Sequence, residues 1–139
     1  MNRYELRDRV FKLLFRIEFN SAEDMNEQID LFCNDEEYGT VEEKDAEYVK
    51  VKYNAVIEHL EEIDKLINDN TTGWDTKRMG KVDVTVLRLA IYEMCFDEDI
   101  PAGVAINEAV EIAKTYGQSG SGSFVNAILT TVKKAKEIQ

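Results

Sequence analysis

The chain has 139 residues, 44% of them hydrophobic and 32% charged, with a formal net charge of −11. That size matches a single soluble domain able to bury a sizeable core, so a cytoplasmic protein is expected. No run approaches the roughly 20 apolar residues of a membrane span, and the N-terminus lacks the apolar segment of a signal peptide.

The charge is uneven. Residues 1–20 carry five basic and three acidic side chains, whereas residues 21–75 carry four basic and seventeen acidic ones. Residues 76–100 are near neutral, and residues 101–139 hold four basic against three acidic groups. An acidic middle repels nucleic acid at long range and favours a basic protein partner, while the two ends remain able to touch phosphate.

One proline and seven glycines, with helical apolar spacing almost throughout, predict an all-α fold of six to seven helices. Residues 3–19 read as an amphipathic helix with Leu6, Val10, Leu13, Leu14 and Ile17 on its stripe. Arg7, Arg9, Lys12 and Arg16 fall away from the centre of that stripe. Ser21-Ala-Glu-Asp has the form of a capping box, opening a helix with Met25, Ile29, Phe32 and Cys33. Residues 34–40, with Gly39, read as a loop.

From about Val41 to Asn68 the period of Ala46, Val49, Tyr53, Val56, Ile57, Leu60, Ile63 and Ile67 fits one long helix better than two, with a break near Asp64 as the alternative. Asn68 to Gly73 ends it, and Trp74 reads as a packing anchor. The next helix carries Val84, Leu87, Ile91 and Met94 on one stripe and Val86 and Leu89 on other faces. A helix apolar nearly all round belongs at the centre of a core, and Arg88 is its main polar interruption. Pro101 suits the first turn of the following helix, with Ala105, Ile106, Ala109, Val110 and Ala113 inward. Gly117 to Ser123 reads as a flexible loop before a last helix from Phe124 to Ile138, whose terminal lysines complement the helix dipole. Cys33 and Cys95 both sit in apolar patterns and read as buried, reduced thiols.

Catalytic patterns are weak. Glu108 and Glu111 lie three apart on one helix face, but no His, Ser or Cys accompanies them, so a solvated face is the better reading. His59 stands alone in a charged segment and makes a poor metal ligand. Ser119-Gly-Ser-Gly-Ser before a helix invites comparison with an anion cradle, yet it lacks the Lys-Ser/Thr pair and preceding strand of a P-loop. No catalytic residue, cofactor or metal is expected. Arg3, Arg7, Arg9, Lys12 and Arg16 could form an RNA-binding helix, but Glu5, Asp8 and Glu18 dilute the charge and a solvated amphipathic face fits the composition at least as well.

The segments Leu87–Glu93 (LRLAIYE), Val104–Lys114 (VAINEAVEIAK) and Phe124–Leu129 (FVNAIL) resemble the signature of the NusB family of bacterial transcription antitermination factors. The resemblance implies an all-α fold of two adjoining helical bundles, with halves at about 1–75 and 76–139. It implies binding of the boxA element of ribosomal RNA leader transcripts together with NusE, a small-subunit ribosomal protein, on the RNA polymerase elongation complex. Family members occur as monomers or dimers. RNA contact would fall on Arg3, Arg7 and Phe15 of the first helix and on Lys114, Ser119, Gly120, Ser121, Ser123 and Phe124 around the last loop. Asp83 would face the basic partner. Gly120 and Ser123 stand where family members commonly have Asp and Lys. A protein-interaction module of the same fold, with little or no RNA binding, is the alternative. Certain ribosomal RNA cytosine methyltransferases have a similar RNA-binding domain, but this chain carries no dinucleotide-type glycine motif or catalytic cysteine loop.

Overall fold

The computed structural model describes residues 1–33 and 42–138. The loop expected at 34–40, with Gly39, and the helix start expected at Val41 lie outside them. The described residues form seven α-helices and no strand: α1 Arg3–Phe15, α2 Met25–Cys33, α3 Glu43–Glu58, α4 Leu60–Asp69, α5 Lys81–Phe96, α6 Ala102–Tyr116 and α7 Ser121–Ala135. None is long and apolar enough to cross a membrane. The chain divides into two compact units, Met1–Ile57 and Glu58–Gln139, with the division at the end of α3.

In the first unit, Asn2 caps α1 by accepting from the Glu5 amide at 2.8 Å. Val10, Phe11, Leu13 and Leu14 are buried, while Leu6 and Ile17 are only half-buried. The helix stops at Phe15 and tightens into a 3₁₀ turn, Arg16–Glu18, short of the end at residue 19 that the sequence predicts. Ser21 accepts from the Asp24 amide at 3.2 Å, the capping contact expected from its sequence, and α2 buries Met25 and Phe32. On α3, Val49, Tyr53 and Val56 face inward as expected, but Ile57 is exposed, while Lys52 and Asp45 are buried.

The single long helix expected across residues 41–68 is two helices, broken at His59. The apolar period runs through the break, so pattern alone does not reveal it. Tertiary stacking does: the His59 ring lies on Phe96 at 4.0 Å with an interplanar angle of 13°, and its carbonyl accepts from the Ile63 amide to start α4.

The second unit is built around α5, which packs on α4, α6 and α7. Val84, Val86, Leu87, Leu89, Ala90, Ile91 and Met94 are buried on nearly every side of it, as the sequence predicts. Its arginine is not exposed to find water. Arg88 meets Asp64 of α4 in a two-pronged ion pair, with Nε to Oδ1 and Nη2 to Oδ2 both 2.9 Å. A planar fork of donors against a carboxylate is the strong form of such a pair. Pro101 caps α6 from just outside it, one position before the expected first turn. Ala105, Ile106, Ala109 and Ala113 are buried, with Val110 at the edge.

Both cysteines are free and half-buried, not fully buried as expected. Burial raises the Cys33 thiol pKa against an opposing pull from Lys50, and burial raises that of Cys95 against Lys136. A raised thiol pKa leaves the neutral form favoured in the folded chain. Its stabilising contribution is complete below the unfolded-state value and fades as pH climbs through the folded one.

Two measurements follow from this packing. Leu87→Ala, at a site with no solvent exposure, should lower unfolding free energy by about 2–5 kcal/mol in a urea titration. Iodoacetamide at pH 8 should modify Cys33 and Cys95 more slowly in the folded chain than in urea, with the rate midpoint displaced to higher pH. Equal rates in both states would contradict the burial-driven shift.

Candidate nucleic-acid interface

The basic residues of α1 are largely consumed by packing. Arg7 is buried, with 3% of its surface exposed, and is not offered to solvent as an RNA contact requires. Its burial has a simple cause: residue 7 lies three positions before Val10, four before Phe11 and seven before Leu14, all buried, so its stem shares the inward face. Arg9 and Arg16 place their guanidinium groups 6.0 and 5.0 Å from the Phe32 ring centre. Arg16 also donates to Gln28 at 3.1 Å, and Lys12 pairs with Asp8 at 2.9 Å. Arg3 is the exposed cation of this helix. Phe15 is half-buried, in edge contact with the exposed Phe19 at 5.2 Å.

In the second unit, the stretch expected to be a loop up to Ser123 is helical from Ser121 onward. Gly120 stands at the N-cap with φ +91°, a left-handed conformation that a residue bearing a Cβ enters at a cost. The Ser121 hydroxyl accepts from the Gln118 amide at 3.0 Å and closes the turn. Gly117 has no room for a side chain, since a Cβ there would meet the Ala113 carbonyl oxygen and Ser121 Oγ, each at 2.6 Å. Three hydroxyl- and glycine-bearing residues therefore form the first turn of a 15-residue helix, where amide N–H groups point outward and favour anions.

This turn borders two concavities. A cavity of about 360 Å³ brings Asp83, Ser121 and Phe124 together with Trp74 and Tyr116. Trp74 is 51% exposed, so it is a cavity wall and not the packing anchor expected, and it meets Phe124 edge-on at 5.7 Å. Asp83 sits in the first turn of α5, and its Oδ1 is buried with no hydrogen-bond partner among the described residues. On the other side, a groove of about 410 Å³ between α6 and α7 brings Lys114 to Gly122 and Ser123. A Cβ on Gly122 would stand 3.1 Å from Lys114 Cγ, so the glycine lets the lysine stem lie close against α7. Ser119 and Gly120 are exposed at the loop tip.

The NusB family model matches residues 5–134. The chain belongs to the NusB family. It is 49% identical over 129 residues to the transcription antitermination protein NusB of Agathobacter rectalis, covering 93% of this chain and 97% of that one. The NusB structure of T. maritima superposes with a TM-score of 0.85 at 41% identity, covering 96% of this chain and 92% of that chain. A crystal structure of the antitermination factors NusB and NusE in complex with dsRNA matches with a TM-score of 0.76 at 28% identity, covering 97% and 99%. The all-helical fold expected from the signature segments is thus the NusB fold.

Sequence reasoning separated Asp83 from Ser121 and Phe124, yet all three line one cavity. It missed Tyr116 as a lining residue, because an aromatic at a helix end resembles a core residue until its exposure is known. Glycine substitutions test the loop. Gly120→Ala should cost about 1–2 kcal/mol for the left-handed backbone alone, with Gly120→Asn cheaper. Gly117→Ala should melt at least as low as Gly120→Ala in a thermal scan, since its neighbour is backbone; equal melting of Gly117→Ala and the parent chain would contradict the packing.

Proposed function

We propose that the chain is a non-catalytic antitermination factor of the cytoplasm. It would bind boxA-type RNA of ribosomal RNA leader transcripts with NusE and act on the RNA polymerase elongation complex. The observation that carries this reading is the full-length match to a solved NusB–NusE complex with dsRNA. The geometry described above agrees with it. Arg3, Phe15, Lys114, Ser119, Gly120, Ser121, Ser123 and Phe124 are the residues assigned to RNA. Buried Arg7 supports α1 in place of touching a phosphate.

The division of labour is electrostatic. A chain of net charge −11 gains little from long-range attraction to RNA. A basic companion supplies what is lacking and is itself drawn to the acidic surface. Asp83 suits that companion, because a carboxylate oxygen buried without a donor is costly until one arrives. Self-association of the free chain would be the competing assembly, and light scattering on a size-exclusion column reads it out.

Anisotropy titrations with boxA RNA test the proposal. The chain alone should bind weakly and the NusE complex tightly, with steep salt dependence. Arg3→Ala and Lys114→Ala in the complex should each weaken binding and reduce the salt slope by about 1. Tight, salt-insensitive binding by the lone chain contradicts the partner requirement. Unchanged RNA binding by both variants would instead favour a protein-interaction module, and Asp83→Ala then reports the partner contact by loss of NusE pull-down.

A further inference from the structure

The groove between α6 and α7 has a lining that its role as a seat for Lys114 does not exhaust. From α6 come Asn107, Val110, Glu111 and Lys114, spaced so that all four share one helix face. From α7 come Gly122, Ser123 and Asn126, again on one face. Asn107 and Asn126 are both exposed, and no hydrogen bond among the described residues ties down either amide. Glu111 approaches Lys114 only at 3.8 Å with both side chains mostly in water, a pairing that holds neither firmly. The floor is small and plain, formed by Val110 and Gly122. It offers no deep apolar pocket of the kind that anchors a protein side chain.

We propose that this groove holds one unpaired RNA nucleotide, its base edge read by Asn107 and Asn126 and its phosphate set at Lys114. The inference rests on the RNA-binding reading above and names new base-reading residues within it. Seven residues of α6 separate Asn107 from Lys114, a rise of about 10 Å, enough for a nucleoside with its phosphate at one end. The cationic end is Lys114, beside the outward amides of the α7 first turn, so the phosphate belongs there, with the nearby Glu111 carboxylate turned toward the base. A side-chain amide offers a donor and an acceptor together and pairs in two-point fashion with an adenine edge. Glu111, an acceptor only, takes an exocyclic amino hydrogen. Together these groups select bases that carry an exocyclic amino group (adenine, cytosine or guanine) over uracil, which has none. The edges of unpaired bases are where sequence is read in RNA. A glycine at residue 122 keeps the groove open and the lysine stem low.

The test uses the chain with NusE and a panel of boxA RNAs in which single adenines, cytosines or guanines are changed to uracil. The parent complex should show one position where the change to uracil weakens binding roughly tenfold. The double variant Asn107→Ala/Asn126→Ala should bind the parent RNA about tenfold more weakly and lose that discrimination. Its salt slope should be unchanged, since no charge is removed, and its circular dichroism melt should match the parent because both side chains are exposed. If the double variant keeps both affinity and base ranking while Lys114→Ala weakens binding, the groove reads no base and the proposal is overturned with the RNA-binding reading intact. If the double variant instead loses NusE pull-down, the groove is a protein contact and the proposal also falls. If the parent complex binds none of the RNAs, the RNA-binding reading itself fails, and the inference with it.

Discussion

A charged group carried inward by a helix buried on nearly every side is costly unless a partner within the protein meets it, and that constraint governs the second unit. Helix α5 brings one arginine into this setting, and Asp64 of α4 answers it in a two-pronged pair. Leaving either charge alone would expose the full cost of desolvation, so the pair fixes the register of α4 on α5. With α5 fixed, its N-terminal turn sets Asp83 at the mouth of the aromatic-lined cavity. The far side of the core then seats α6 and α7, whose facing residues form the groove. The aromatic-lined cavity thus includes the start of α5, while the groove is formed by α6 and α7 alone.

Much of this was legible beforehand. Apolar residues on every face of residues 84–94 announced a central helix, and the small alanines of α6 announced a close-packed neighbour. The signature segments led to the right family, because they encode those two helices and the turn between them and α7. What escaped was set by three-dimensional context. The break at His59 leaves the apolar period intact and arises from a ring stacked on Phe96, a residue 37 positions away. The helical start at Ser121 hides in a Gly/Ser run that reads as flexible; a left-handed Gly120 and a hydroxyl-capped turn convert it into the first turn of a helix.

The candidate site shows the same limit. Counting arginines along α1 suggests a positive surface, but counting does not reveal which are spent on packing. Arg7 lies in the interior, and Arg9 and Arg16 lean on Phe32, leaving Arg3 as the exposed cation. Side chains with long apolar stems serve either purpose, and only burial tells the two apart. Conversely, Asn107 and Asn126 look like ordinary solvated polar residues in sequence. Their interest appears when two helices bring them to the same groove as a lysine.

Net charge and local chemistry then act at different ranges. Exposed charges lose most of their influence beyond about 8 Å at physiological salt. The acidic residues of the middle segment therefore shape the approach of partners more than the contacts made once RNA is seated. Few exposed cations border the sites assigned to RNA, so electrostatics alone gives this chain a shallow hold on a polyanion. A shallow charge term makes the neutral contacts decisive. Amides, hydroxyls and an aromatic cavity wall add little to non-specific attraction but discriminate one base from another. Under the proposed function, a NusB-family chain so acidic would choose where a basic companion binds RNA, with the companion providing the grip.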